Sequence, residues 1–465
     1  MFRKLFKKYL SILCILYFSL ITKTKRVIVI KERKNLSVKS LLKFTSNYFE
    51  TIKDEERKRR CDFSLKDCLM SGLAIFGLKY PSLLKFEKER KENEPLIGNL
   101  ERLYNVNKVP CDTQLRERLD MVNPKVVRKA FNILISKAQR DKVLEDFKYM
   151  GEYYLLSIDG TAYFHSQDVY CENCCEKKDK EGNVTSYHHN LLAGSIVHPN
   201  LKTVIPIAPE PIVKQDGVAK NDCELNAAKR LLPMIKTEHP HLKIIIVADA
   251  LSANAPYVNL CKENNFNFII VVKESDHKHL FETFRNANCE VHTMTLENGN
   301  TGEFSYINDV ALNKSHHDCK INFLYFREIK KNGKISTWTW ITGITIEQGN
   351  LKLLMRGGRS RWKVENETFN TLKNQGYNFE HNYGHGNKYL STILAMLMML
   401  AFMIDQIQQH SCPLFNAALD KAGAKYSLWE KIRGLFFIFR INAWRDVFLF
   451  LIKPPNHLIL EPDTG

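Results

Sequence analysis

Two short apolar runs constrain this chain more than any other feature: "YYLLSI", which stops at Asp159, and "IIIVA", which stops at Asp249. Uninterrupted runs of this length, closed by turn signals, read as strands buried on both faces, as in sheets that helices cover. Each ends in an acid followed by a small residue, Gly160 or Ala250. Two carboxylates are therefore expected at the carboxyl ends of rigid strands, where open α/β sheets bind their substrates. One such aspartate is a common turn former; two in one region point to chemistry. "HHNLLAGSIVHP", "KTVIPIAPEPI" and "FNFIIVVK" supply further strands, and "KNDCELNAAKRLLPMI" has helical period, so 151–285 reads as an α/β region.

The flanks have other textures. Residues 1–60 are strongly basic and close on the charge run "KDEERKRR", a solvated boundary. An apolar stretch at 10–21 is too short to cross a bilayer comfortably and lacks a small-residue cleavage site, so a buried helix or an upstream extension is expected over an anchor. From 61 to 150 the period is helical: Ser64 is placed to cap a helix, Pro81 breaks the pattern, and Arg116, Arg118, Arg128 and Lys129 punctuate the apolar positions. That region suits a DNA-binding helical domain or an ordinary scaffold equally. Residues 286–350 alternate strand-like runs with the turns "ENGNT", "NKSHHD" and "KKNGK", a β-rich insertion. Residues 351–410 return to helices, including a nearly wholly apolar one in "YLSTILAMLMMLAFMI" that is expected in the core, and 411–465 form a helical tail.

Lys and Arg number 68 against 51 acidic residues, a net charge of +17, which favours a polyanionic partner through counterion release. Apolar residues at 44% and charged residues at 26% are ordinary globular composition and argue against disorder. Twelve scattered cysteines, read as reduced thiols, place the chain in the cytoplasm.

A third acid comes from "RSRWKVENETFNTLKNQGY", read as one helix, where Arg361 and Glu365 are four apart and share a face; Glu367 points elsewhere. Three carboxylates suffice to hold paired divalent cations for phosphodiester chemistry. The order Asp, Asp, β-insertion, then R-W-x-x-E-x-E-x-F-x-x-L-K resembles the DDE transposases of bacterial insertion sequences, in the IS-four-like group with a β-strand insertion before the Glu. The likeness covers roughly 60–410 and is densest in "LLSIDGT", "KNDCELNAAKR", "IIIVADAL" and "RSRWKVENETFNTLKNQGYNFEH". It implies an RNase H-like core, a Mg²⁺ (or Mn²⁺) triad of Asp159, Asp249 and Glu365, and cut-and-paste transfer of DNA. It further implies a nucleoid-associated bacterial protein acting as a homodimer on terminal repeats and target DNA, away from membranes. Arg361 and Lys373 are then expected to hold phosphates. The group's tyrosine, three before Arg361, is Gly358 here, and Lys373 stands one residue late. Trp338, Trp340 and Trp362 are candidates to stack on an extruded base, with structural burial as the plainer role for each.

"YCENCCEKKDKEGNVTSYHHN" adds a second pattern. Cys171 and Cys174 at Cys-x-x-Cys spacing, with His189 or His188 downstream and His165 as a fourth donor, offer a structural Zn²⁺ site; reduced thiols in a polar loop are the plainer reading. Glu224, Glu380, His381 and His385 are left outside the catalytic set, since caps and core hydrogen bonds account for them.

Overall fold

Why the two apolar runs lie side by side is a matter of hydrogen bonding: strands buried on both faces must satisfy their backbone on both edges. The computed structural model describes residues 35–54, 63–217 and 220–454. The apolar stretch 10–21 and most of the basic extension lie outside them.

Among the described residues, six helices come first: α1 (Val38–Glu50), α2 (Leu65–Gly77), α3 (Leu83–Glu92), α4 (Glu94–Tyr104), α5 (Asp112–Asp120) and α6 (Pro124–Arg140). Side-chain caps start most of them. Ser64 accepts from Asp67 N at 3.0 Å, as its position before an apolar-periodic run predicts. The sheet strands are β1 (Lys148–Tyr149), β2 (Tyr153–Ser166), β3 (Cys175–Lys178), β4 (Val184–Val197), β5 (Ile205–Pro206) and β6 (Glu210–Ile212). After α7 (Lys220–Glu238) come β7 (Lys243–Ala248), α8 (Ala255–Glu263), β8 (Asn267–Val271) and α9 (Lys278–Asn286). The expected β-rich segment supplies β9 (His292–Thr295), β10 (Thr301–Asn313), β11 (His316–Ile329) and β12 (Ile335–Thr342). The chain ends in α10 (Leu351–Arg359), a π-helical segment at Val364–Phe369, then α11 (Asn370–Asn374), α12 (Leu390–Ser411), α13 (Pro413–Ala422), α14 (Lys425–Ile438) and α15 (Trp444–Ile452).

The protein is mixed α/β around one large mixed sheet, in the order β3-β4-β2-β7-β8-β12-β11-β10-β9. β2, β7 and β8 are parallel to one another, and the other pairings are antiparallel. The segment 286–350 is thus not a separate layer: β12 hydrogen-bonds along β8, pairing Ile341 with Ile270, and extends the same sheet. β2 also runs past the expected stop at Asp159, because β4 stays paired to it as far as Ser166 while β7 ends.

The helices at the two ends of the chain form one body. α12 packs against α2, α5 and α6. Nearly every residue from Leu390 to Ile407 is buried, as a helix apolar all round requires. It is the one described helix long and apolar enough to span a membrane, and 94% of its apolar window is buried inside the protein. Several of the helical basic residues have acidic partners. Arg116 pairs with Asp112, Arg118 with Asp54, and the buried Arg128 with Glu238 at 2.7 Å.

Candidate active site

The last parallel pairing between β2 and β7 joins Ser157 to Val247. Two residues further along β2 stands Asp159, on the sheet face that carries Ser157, and Asp249 follows directly on the last residue of β7, close enough for its charge to act on the Asp159 carboxyl. Asp249 ends its strand by capping the following turn, its Oδ1 accepting from Leu251 N at 3.0 Å. Asp159 Oδ1 accepts from Gly160 N at 2.8 Å.

That same face holds the third acid. Ser157 and Ser195, partners across β2 and β4, are both buried and both point into the segment around Glu365. Ser157 Oγ donates to the Arg361 carbonyl at 2.9 Å, and Ser195 Oγ meets Thr368 Oγ1 at 2.9 Å. The helix expected over this stretch forms from Trp362 to Asn374, after a turn at Ser360 and Arg361 that follows α10, and within it Val364–Phe369 is wound as a π-helix. Such wide turns concentrate at functional sites, since they re-aim a side chain within a fixed helix path. Arg361 and Glu365 still meet at four-residue spacing, Nη1 to Oε1 at 2.5 Å, and the same Nη1 lies 3.4 Å from Asp159 Oδ2. Arg361 therefore bridges two acids as their counter-ion and does not stand free for a phosphate. Glu367 faces Lys363 and Lys425 instead.

Glu224, outside the expected set, completes the cluster. A Cβ at Gly160 would lie 2.8 Å from Glu224 Cδ, so the carboxylate from α7 occupies the notch that a residue without a side chain leaves open. The signal was present in sequence as a glycine after Asp159 and a glutamate in "NDCEL", but nothing local links them. Burial, a hydrogen bond with Glu365, and the charges of Asp249, Glu224 and Glu365 together push the Asp159 carboxyl up to about 7. A lone guanidinium thus leaves a concentration of like charge, held on oxygen donors, that suits a hard divalent cation.

The remaining expected residues divide. Lys373 is held by Glu380 at 2.6 Å. Trp362 is 43% exposed beside a recess of about 250 Å³ rimmed by Lys352, Arg356 and Arg359. Trp340 is corrected: it is 1% exposed in the core, and a Cβ at Gly358 would lie 2.6 Å from its Cε2. It cannot reach a base, and its indole fills the volume beside the position where the resembling group has tyrosine. Trp338 carries the Arg359 guanidinium 4.7 Å above its ring.

Cys171, Cys174 and His189 come together, but their fourth neighbour is His385, from the loop before α12. His165 and His188 pair with one another across β2 and β4; His188 lies beside His189 in the strand and so faces the opposite way, and neither belongs to the cluster. The chain matches no protein-family model and no curated protein.

Proposed function

We propose that this protein is a DDE-type transposase, cutting DNA at transposon ends and joining the freed ends to target DNA. The observation that carries the reading is the convergence of Asp159 on β2 with Asp249, which follows the adjacent parallel strand β7, and with Glu365, joined to Asp159 through Arg361. The strand order β4-β2-β7-β8, with β5 and β6 on the outer edge of β4, supports an RNase H-like core beneath them.

Divalent cations such as Mg²⁺ or Mn²⁺, held by Asp159, Asp249 and Glu365, would activate the attacking oxygen and stabilise the leaving one. The chain's own residues prepare that chemistry. Two strands and the serine-strapped segment fix the acids, so little reorganisation remains when substrate arrives. Arg361 offsets part of the charge of the acids, and were a cation held there the guanidinium would be available to a backbone phosphate. Lys352, Arg356 and Arg359, partly offset by Glu297 and Glu328, rim the recess beside Trp362, whose exposed ring suits an unstacked base. The net charge of +17 favours duplex DNA as the partner. Two subunits, each holding one end, would pair those ends before transfer.

The test is an assay of labelled duplexes carrying the repeats that flank the coding sequence, with Mg²⁺ or Mn²⁺, for wild type, Asp159→Asn and Glu365→Gln. Cleavage and joining by the wild type alone supports the reading. Cleavage without joining makes the protein a nuclease, and DNA binding with neither makes it a binding remnant.

A further inference from the structure

We propose that Cys171, Cys174, His189 and His385 form a structural zinc site, a reading that does not depend on any DNA chemistry. The four donor atoms lie within 4.8 Å of one another. Cys171 Sγ and Cys174 Sγ are 3.9 Å apart, His189 Nε2 is 3.4 Å from each sulfur, and His385 Nε2 is 3.5 Å from Cys174 Sγ. A tetrahedron with Zn–S of about 2.3 Å and Zn–N of about 2.0–2.1 Å has S···S edges of about 3.8 Å and S···N edges of about 3.5 Å. The S···S edge and three of the four S···N edges already match those lengths. Two thiolates and two imidazoles in a tetrahedron select zinc over magnesium or calcium, and four protein donors leave no open position, which makes the site structural.

The surroundings are built for this purpose. Cys174, His189 and His385 are buried. The Cys-x-x-Cys segment is a tight turn in which Cys174 N donates to Cys171 O at 3.2 Å and Cys171 N to Cys174 Sγ at 3.4 Å. Tyr163 stacks on His189 with centroids 5.7 Å apart, and Phe164 covers His385 at 4.3 Å, so aromatic rings pack against both imidazoles. Cys175 is not a donor: its thiol turns away to the Ile212 carbonyl.

The site ties two parts of the chain. Cys171, Cys174 and His189 belong to the β2–β4 hairpin, whose first strand carries Asp159. His385 belongs to the loop that follows the Glu365 segment. Asp120 holds the other end of that loop, its carboxylate accepting from the amides of Asn387, Lys388, Tyr389 and Leu390 at 2.9–3.0 Å. Zinc would lock the loop to the hairpin and so fix the Glu365 segment relative to β2.

Full-length protein, purified without chelators and desalted, should retain about one zinc per chain by elemental analysis. A mercurial that titrates thiols should release it. Cobalt(II) added to zinc-depleted protein should give the intense visible bands of tetrahedral coordination together with thiolate charge transfer. Cys174→Ser and His385→Ala should lose the metal and the cobalt spectrum, whereas Cys111→Ser keeps both. Wild-type protein holding less than half an equivalent of zinc and giving no tetrahedral cobalt spectrum overturns the proposal, as does a Cys171–Cys174 disulfide in protein alkylated before any reduction. The wild-type readouts stand even where a variant fails to fold.

Discussion

Asp159 shows how a single residue carries opposed demands. Its carboxyl is buried among three other acids with one arginine for relief, so ionising it without a cation costs free energy. Asp159→Asn should therefore stabilise the cation-free protein by about 1–3 kcal/mol, read from urea unfolding near neutral pH, while abolishing cleavage. Mg²⁺ should raise the melting temperature of wild type and leave that of the variant nearly unchanged. Gly358 illustrates the reverse case, a residue set by its neighbour's bulk. Gly358→Ala must displace Trp340 in a closed core, and denaturant melts should show a loss of about 1–3 kcal/mol. A variant as stable as wild type would mean that the indole moves aside freely.

At the scale of elements, the fold depends on contacts that no local pattern encodes. The buried Lys79 after α2 bonds Asp405 of α12 at 2.6 Å, and Tyr377 donates to the same carboxylate at 2.5 Å. Lys79 also lies 4.2–4.5 Å from the Trp429 and Tyr377 rings. Burial lowers the Lys79 pKa and the Asp405 charge raises it. Asp405→Asn leaves an uncompensated buried ammonium, so equilibrium unfolding should show about 3–5 kcal/mol of destabilisation. A much smaller loss would show that the lysine escapes to solvent or gives up its proton cheaply. The segment around Glu365 is the other informative element. The four-residue spacing of Arg361 and Glu365 is a helical feature and does pair them. The π-winding was hidden, because nothing in the propensities of "VENETF" marks it, and the bonds from Ser157 and Ser195 to this stretch join residues far apart in the chain. Strand lengths were misread for the same reason: β2 continues past Asp159 because its partner does.

Across the molecule, all described residues belong to one compact unit, although the chain reads as a succession of domains. The helices before and after the sheet meet on α12, and the β-rich segment joins the sheet edge at β8. Such a molecule should unfold with broad cooperativity, and its buried histidines set part of its response to acid. Burial holds the His239 and His277 imidazoles below the ordinary histidine range, against the opposing pull of Glu238 on the first and Asp276 on the second. Below pH about 6.5 the unfolded chain takes up protons that these native imidazoles refuse, so their contribution is full at pH 8 and is lost as pH falls. His239→Gln with His277→Gln should flatten the decline in unfolding free energy between pH 8 and 5. An unchanged slope would place the titration elsewhere.

The amino-acid order alone determined the two buried strands, the aspartates that close their apolar runs, the Arg361–Glu365 spacing and the apolar helix at 390–411, because each is written in the period and polarity of neighbouring residues. Tertiary structure alone decided that Glu224 reaches the notch at Gly160, that Trp340 is core, and that His385 completes the cysteine and histidine cluster. These depend on side chains tens to hundreds of residues apart sharing one small volume, and no pattern along the chain carries that distance.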